Sequence, residues 1–226
     1  MMSSGVPFDL TAIRADFPIL EERIHGNRLV YLDSAASAQK PLPVLEKMDW
    51  AHRHAYANVH RGLHTLANRA TEAYEGGREA VRRLLNADRP EEIVFTRSAT
   101  EAINLVASSF AGPRIGEGDE IVLSIMEHHS NVVPWHFHRE RKGAVLKWVD
   151  VRDDGSFDLE AFSAALSPRT RMVAITHMSN VLGTVTPLAE VIAIAHARGI
   201  PVLVDGSQGV VHRFADVRAL DADFYV

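Results

Sequence analysis

The chain has 226 residues, of which 46% are hydrophobic and 23% charged, and its formal net charge is -5. This length can bury one substantial core, and the composition is typical of a globular protein. The charges are spread without acidic or basic blocks, which argues against a nucleic-acid partner, because phosphate-binding proteins concentrate Lys and Arg on one face. The sequence contains no Cys, which excludes disulfides and thiolate metal sites within it.

Two features of the sequence bear on its location. No stretch reaches the roughly 18 uninterrupted apolar residues that a membrane helix needs, so no membrane partner is expected. The first ten residues contain neither a basic segment nor an apolar run, which predicts the absence of a signal peptide. Together these features predict a cytoplasmic location.

The first 90 residues are predicted to be mainly helical, because small and apolar residues recur at helical spacing. Two prolines, Pro41 and Pro43, are typical of the start of a helix. The predicted elements of this part are a helix over 10–17, a turn over 25–27, a short apolar strand over 29–32, a polar loop over 33–37, and helices over about 41–56 and 67–86.

From residue 92 onward, apolar strand patterns alternate with helical ones. This alternation predicts an α/β fold, with a mostly parallel sheet covered by helices on both faces. Ligands bind such sheets beyond the carboxyl ends of the strands, so functional residues should follow the strands. The predicted strands are 93–96, 120–124, 145–149, 172–176, 202–204 and 224–226, and the predicted helices are 100–110, 131–141, 159–166 and 188–198.

The first candidate site follows the predicted strand 93–96. Small hydroxyl residues at a helix start, here Ser98 and Thr100, leave backbone N–H groups available to an anion. The same residues also suit a simple helix cap, in which Ser98 and Glu101 form a capping box. The local pattern leaves both interpretations open.

The second candidate site follows the predicted strand 120–124 and contains His128 and His129. A histidine here could be a metal ligand, a general base or a stacking ring. The chain has 12 histidines, but no HExxH spacing is present, so a metal site is not predicted.

The third candidate site follows the predicted strand 172–176 and comprises residues 177–184. The fourth follows the predicted strand 202–204 and contains Asp205. Burying a carboxylate at the end of an apolar strand is costly unless it pairs with a cation. Asp205 could simply cap the next turn, or it could bind a protonated ring nitrogen such as that of pyridoxal 5'-phosphate (PLP), with Gln208 close to the adjacent phenolic oxygen. A nicotinamide-dependent dehydrogenase is excluded, because no GxGxxG follows any strand.

Five segments that occur in order resemble the class V, fold-type I PLP enzymes, most closely the SUF-type cysteine desulfurases. The resemblance covers nearly the whole chain from about residue 8, and it implies the large-domain fold of those enzymes. The segments are 31–36 (YLDSAA), 58–66 (NVHRGLHTL), 127–131 (EHHSN), 179–183 (SNVLG) and 204–208 (VDGSQ).

The resemblance implies a transferase reaction in which L-cysteine becomes L-alanine and the sulfur leaves as a persulfide. It also implies three further properties of the complete protein. The sulfur would pass to a sulfur-acceptor protein, the pathway would be iron–sulfur cluster assembly, and the full-length form would be a homodimer.

The resemblance also implies how the cofactor is held. The backbone of Ala99 and the side chain of Thr100 would bind the PLP phosphate. His128 would stack on the ring and assist proton transfer. Asp205 would pair with the pyridinium nitrogen, and Gln208 would hydrogen-bond the phenolic oxygen.

Three residues are expected near the substrate by the same resemblance. Asn180 would lie close to both the phenolic oxygen and the substrate carboxylate. Ala35 and His64 would contribute to the substrate site, with His64 at its mouth.

The resemblance finally implies how the chain is divided. Residues 1–30 would belong to the small domain, and residues 31–226 would form an incomplete large PLP-binding domain whose C-terminal remainder is absent. In the family, the lysine that forms a Schiff base with PLP follows the last strand, as does the sulfur-accepting cysteine. The only lysines here are at positions 40, 47, 142 and 147, so this piece alone is expected to be inactive.

Two kinds of alternative remain at this stage. Another class V activity, such as a selenocysteine lyase, an amino-acid epimerase or a kynureninase-like hydrolase, shares the same PLP site. The loop that carries His60 and His64 favours the desulfurase. A non-catalytic truncated subunit that pairs with a full-length one is the alternative outside enzymes.

Overall fold

The structure is a computed structural model that describes residues 8–226. The described residues fall into two compact units, which divide between residues 77 and 78. The predicted boundary between residues 30 and 31 stays a prediction.

The elements follow the predicted order closely. The helices are α1 (Leu10–Ala15), α2 (Leu42–His54), α3 (Thr65–Leu85), α4 (Ala99–Leu105), α5 (Val133–Lys142), α6 (Leu159–Ala165), α7 (Leu188–His196), α8 (Gly209–His212) and α9 (Val217–Leu220). The strands are β1 (Arg23–Ile24), β2 (Asn27–Arg28), β3 (Glu120–Ser124), β4 (Val145–Val149), β5 (Thr170–Thr176), β6 (Val202–Asp205) and β7 (Phe224–Tyr225).

In the first unit, α1 begins at a side-chain cap and is followed by a small hairpin. One oxygen of Asp9 accepts hydrogen bonds from the N–H groups of Thr11 and Ala12, both at 3.0 Å. Strands β1 and β2 pair in antiparallel fashion across the predicted turn, where Gly26 takes the left-handed φ of 82° that glycine tolerates.

The predicted strand over 29–32 is wrong. Regular pairing ends at Arg28, and the side chains of Val30 and Leu32 are 76% and 91% exposed. An apolar run forms a strand only where a second strand supplies hydrogen-bond partners, and the two-residue hairpin is too short to extend that far.

The second unit is built on a five-stranded sheet with the order β4-β3-β5-β6-β7, in which every neighbouring pair is parallel. The predicted strand over 93–96 does not join this sheet. That segment has no regular structure, and Val94 and Phe95 are 66% and 42% exposed. No described strand lies beside it to provide a hydrogen-bonded ladder, which apolar sequence alone cannot supply.

Alternate residues of the central strands enter two separate cores, as expected for a sheet covered on both faces. Val122, Val173 and Val204 pack on one side with residues of α6 and α7. Ile121 and Leu203 pack on the other side with residues of α4 and α5. The predicted α/β fold class is therefore confirmed, with helices on both faces of a parallel sheet.

The amino edge of this sheet is tied together by the buried carboxylate of Glu120. Its oxygens lie 2.9 Å from Lys147 Nζ and 3.3 Å from an Arg169 nitrogen, and it accepts a hydrogen bond from Ser167 Oγ at 2.6 Å. Burial raises the pKa of Glu120, but the hydrogen bonds from Ser167 and Lys147 outweigh it and lower the pKa to about 2. Ion pairs and a hydrogen bond of Glu120 therefore stabilise the amino ends of the strands. The candidate site lies at the opposite, carboxyl ends.

Candidate functional site

The candidate site lies along the carboxyl edge of the sheet, where the loops after β3, β5 and β6 emerge side by side. The loop after β3 carries His128, the loop after β5 carries Asn180, and β6 ends at Asp205. Because β3, β5 and β6 are adjacent and parallel, all three loops leave from the same edge.

A cavity of about 470 Å³ opens between the first two of these loops. His128 and Asn180 both line this cavity, and their roles toward a cofactor stay a prediction. Asp205 and Gln208 do not line this cavity; they lie one strand further along the edge. The lining residues are Ile125, Met126, Glu127, His128, His129, Ser179, Asn180, Val181 and Leu182.

His128 is exposed to solvent, and its ring is oriented by Ser130. The Nδ1 atom of His128 accepts a hydrogen bond from the Ser130 N–H at 3.2 Å and lies 2.8 Å from Ser130 Oγ. Since Nδ1 accepts from a backbone N–H, the proton of the neutral ring is on Nε2. The neutral imidazole therefore has a fixed tautomer, and His128 is one of the residues that line the cavity.

Glu127, directly before His128, is a buried acid that sequence reasoning missed. Its Oε1 lies 2.6 Å from Ser124 Oγ and 2.9 Å from the Thr176 N–H, while Oε2 accepts from Asn131 Nδ2 at 2.7 Å. Burial, together with the negative charge of Asp205, raises the pKa of Glu127 to about 7 in spite of these hydrogen bonds. A signal was present in the sequence, since an acid three residues after a buried apolar strand must find hydrogen-bond partners if it is buried as well.

Asp205 is 4% exposed, and its carboxylate is fixed by the next turn. Its Oδ1 accepts hydrogen bonds from the Ser207 N–H at 3.0 Å and from Ser207 Oγ at 2.7 Å. The turn-capping role that the sequence left open is therefore present. Both hydrogen bonds of this cap are accepted by Oδ1, and neither involves Oδ2.

Two glycines in the turn after β6 leave room for neighbouring rings, because they have no Cβ atom. A Cβ atom at Gly206 would lie 2.2 Å from the Tyr225 ring, and one at Gly209 would lie 2.2 Å from His177 Nδ1. The rings of His177 and Tyr225 are in edge contact, and His177 Nδ1 is 2.9 Å from the Tyr225 hydroxyl. Burial and the charge of Asp205 raise the pKa of Tyr225 to about 12. Gln208, between the two glycines, is half-buried at the start of α8.

The start of α4 is capped by Ser98, as one of the two sequence interpretations predicts. Ser98 Oγ accepts a hydrogen bond from the Glu101 N–H at 3.3 Å. The reciprocal bond of a capping box is absent, because the Glu101 carboxylate accepts instead from the Arg97 N–H at 2.6 Å. The first two helical N–H groups, those of Ala99 and Thr100, precede the first intrahelical bond and face outward from the helix end.

The two remaining candidates, His64 and Ala35, lie in the first unit. His64 Nδ1 accepts a hydrogen bond from the Ala67 N–H at 3.3 Å and thereby caps α3. Ala35 belongs to the exposed turn over residues 34–36. Their predicted contribution to the substrate site stays a prediction.

The chemistry of the groups at the carboxyl edge fits PLP. Asp205 offers a buried carboxylate to a pyridinium nitrogen, and His128 offers an imidazole that is fixed in one tautomer. The outward N–H groups of Ala99 and Thr100 suit a phosphate. Within residues 8–226 no group of three His, Asp or Glu side chains is placed to hold a metal ion, and no helix is both long and apolar enough to cross a membrane.

Ligands bind parallel α/β sheets beyond the carboxyl ends of the strands, and the acidic, imidazole and amide groups found there are suited to holding a cofactor. The family model described as aminotransferase class-V matches residues 30–226, so the chain belongs to this family.

Curated relatives and solved structures give a closer comparison. The chain is 52% identical to a cysteine desulfurase of Salmonella gallinarum over 219 residues, which are 97% of this chain and 54% of that protein. The crystal structure of the cysteine desulfurase CsdA from Escherichia coli superimposes with a TM-score of 0.86 at 43% identity, covering 96% of this chain and 53% of that one. The apo cysteine desulfurase of Thermococcus onnurineus NA1 gives a TM-score of 0.87 at 35% identity, covering 100% and 53%. The chain thus spans about half the length of the relatives it matches.

Proposed function

We propose that the complete protein containing this chain is a PLP-dependent cysteine desulfurase, which converts L-cysteine to L-alanine and passes the sulfur on as a persulfide. The observation that carries the proposal is the buried carboxylate of Asp205 at the end of β6, in a chain 52% identical to a cysteine desulfurase. Because the chain spans about half of that relative, the activity is proposed for the complete gene product.

When bound, PLP supplies an electron sink for negative charge that develops on the substrate α-carbon. Asp205 would keep the pyridinium nitrogen protonated, which is the role that a buried anion can perform best. Gln208 would hydrogen-bond the phenolic oxygen. The backbone of Ala99 and the hydroxyl of Thr100 would hold the phosphate.

The residues on the substrate side would orient the amino acid and move its protons. His128 would lie against the cofactor ring and assist proton transfer there, with its Nε2–H donating a hydrogen bond. Asn180, across the cavity from His128, would bind the phenolic oxygen and the substrate carboxylate. Ala35 and His64 would complete the substrate site.

The proposal extends to the partners that the resemblance implies. The sulfur would pass to an acceptor protein and serve iron–sulfur cluster assembly. The complete protein would form a homodimer and act in the cytoplasm. The names of the curated relatives support the substrate, L-cysteine, and the sulfur-transfer chemistry more directly than they support these partners.

The experiment compares the complete gene product with its Asp205→Asn variant. We expect the purified protein to show the absorption of bound PLP and to release alanine and sulfide from L-cysteine in the presence of a thiol reductant. The variant should lose at least about 100-fold in turnover, the scale on which a preorganised charge partner contributes. Asp119→Asn is the matched control, because Asp119 lies at the opposite edge of the sheet and pairs with Arg171 at 2.8 Å. An unmodified protein that binds PLP but releases no alanine from L-cysteine would contradict the proposal.

A further inference from the structure

The carboxyl group of Glu127 connects three separate elements beneath the cavity. Through Oε1 it is bonded to Ser124 at the end of β3 and to the backbone of Thr176 at the end of β5. Through Oε2 it is bonded to Asn131, just before α5. One buried side chain therefore fixes the spacing between the two strand ends from which the cavity opens.

The hydrogen bonds around Glu127 have a defined direction. The Trp135 indole N–H donates to Asn131 Oδ1 at 3.1 Å, so the amide nitrogen of Asn131 must be the atom that faces Glu127 Oε2. Oε2 is therefore an acceptor. The Thr176 N–H also requires an acceptor at Oε1, so among these partners only Ser124 Oγ can either donate a hydrogen bond to Glu127 or accept one from its protonated carboxyl group.

The anchored side chain controls the position of His128. The two residues are consecutive, and the Asn131 N–H donates to the His128 carbonyl at 2.8 Å, which closes the turn. His128 is therefore held from both sides, by Glu127 in the chain before it and by Asn131 after it. Since Asn131 is also bonded to Glu127, both supports depend on the same carboxyl group.

The charge of Asp205 acts on the same group from the neighbouring strand. Burial is the main reason that the pKa of Glu127 rises to about 7, and the negative charge of Asp205 adds to it. Asp205 is paired in register with Thr176, whose N–H donates to Glu127, and this arrangement connects the support of His128 with the carboxylate assigned to the cofactor nitrogen.

We propose that Glu127 is a positioning residue for the cofactor: its carboxyl group locks the turn that carries His128 onto the ends of β3 and β5, so that the imidazole meets the PLP ring at a fixed angle. The inference rests on the proposed function, because it assigns Glu127 a role toward the same cofactor. It gives Glu127 no contact with the reacting atoms.

The test uses the complete gene product loaded with PLP, and its Glu127→Gln variant. Glutamine preserves the shape but cannot satisfy every partner. An amide nitrogen at the Oε1 position would face the Thr176 N–H, and one at the Oε2 position would face the Asn131 amide. Each orientation loses one hydrogen bond, worth about 1 kcal/mol, or roughly five- to tenfold in affinity where it acts on binding.

The readouts are the visible circular dichroism of bound PLP, which reports the orientation of its surroundings, and the PLP dissociation constant. We expect Glu127→Gln to reduce the dichroic band by about half and to raise the dissociation constant roughly tenfold. Glu120→Gln is the matched control, because Glu120 is also a buried, hydrogen-bonded acid but lies at the opposite end of β3. It should lower thermal stability while leaving both cofactor readouts unchanged.

The outcomes separate this inference from the proposed function. If the unmodified protein binds no PLP, both are overturned. If it binds PLP and Glu127→Gln matches it in dichroism and affinity, or if Glu120→Gln shifts both readouts equally, only the positioning role is overturned. Should Glu127→Gln fail to fold, Ser124→Ala removes one partner of Oε1, and we expect a smaller change in the same direction. An unchanged dichroic band in that variant would also overturn the role.

Discussion

The Nδ1 atom of His177 lies 2.9 Å from the hydroxyl oxygen of Tyr225, and this hydrogen bond joins the end of β5 to β7 across β6. His177 is buried, and burial, with the positive charge of Arg213, lowers its pKa. The neutral imidazole and the un-ionised phenol therefore form a stable uncharged pair next to Asp205. Two non-adjacent strands are thereby held together at the carboxyl edge that carries the candidate site.

Removing the phenol hydroxyl should weaken the sheet. In Tyr225→Phe, the buried His177 loses its partner, and we expect the free energy of unfolding of the complete gene product to fall by about 1 kcal/mol. Urea denaturation followed by far-UV circular dichroism measures the change. Tyr56→Phe serves as the control, since Tyr56 is 79% exposed and should not respond. Equal stability of Tyr225→Phe and the unmodified protein would mean that the hydrogen bond has no net value.

A methyl group at position 209 should be poorly tolerated. In Gly209→Ala the new Cβ would lie 2.2 Å from His177 Nδ1 and 2.6 Å from His177 Cβ, so the ring or the turn must move. We expect a loss of about 1–3 kcal/mol, typical of an overpacked core. Gly76→Ala is the matched substitution without a clash, because a Cβ atom at this position of α3 would meet nothing within 4 Å. That variant should instead gain about 0.5–1 kcal/mol from helix propensity, and a thermal melt compares the two.

Acid should weaken the amino edge of the sheet through Glu120. Its pKa is about 2 in the folded protein against an ordinary value of 4.5, so its contribution to stability is present above about pH 4.5 and is lost as the pH falls toward 2. We expect Glu120→Gln to be less stable than the unmodified protein by about 1–3 kcal/mol near neutral pH, with the difference shrinking in acid. Urea denaturation over this pH range gives the comparison. A difference that stays constant down to pH 2 would contradict the assignment.

Glu127 should give the opposite pH dependence. Its pKa is raised from 4.5 to about 7, so the folded state retains a proton that the unfolded chain releases. Its contribution to stability is therefore present below about pH 4.5 and is lost as the pH rises through about 7. In Glu127→Gln this decline should be absent, while the decline in acid that depends on Glu120 should persist. A parallel pH profile for the variant and the unmodified protein would rule out Glu127 as the titrating group.

Local sequence was sufficient for the elements whose partners lie nearby in the sheet. Strands β3 and β4 have the predicted bounds, because each is a short apolar run bordered by polar residues and each finds a parallel neighbour. The segments 29–32 and 93–96 have similar composition but no described partner strand. Strand formation depends on a distant backbone, so composition alone could not distinguish the two cases.

The same limit applies to the site. The sequence identified polar residues that follow strands, and the fold places His128 and Asn180 around one cavity. The role of Glu127 could not be predicted from the sequence, because it depends on burial and on a hydrogen bond from the backbone of Thr176, a residue 49 positions away in the chain. In the predicted capping box, the Glu101 carboxylate would accept from the Ser98 N–H, but it accepts from the Arg97 N–H instead. The geometry of the turn decides between these two adjacent N–H groups, and the sequence does not show it.

The indole of Trp135 gives the protein a built-in optical reporter. Trp135 is completely buried, whereas the other two tryptophans of this chain, Trp50 and Trp148, are 38% and 42% exposed, so among these three Trp135 emits at the shortest wavelength. Its N–H is bonded to Asn131, and Asn131 is bonded to Glu127. Ionisation of that acid therefore changes the electric field at the indole, and a fluorescence spectrometer can follow the interior of the site without any added dye.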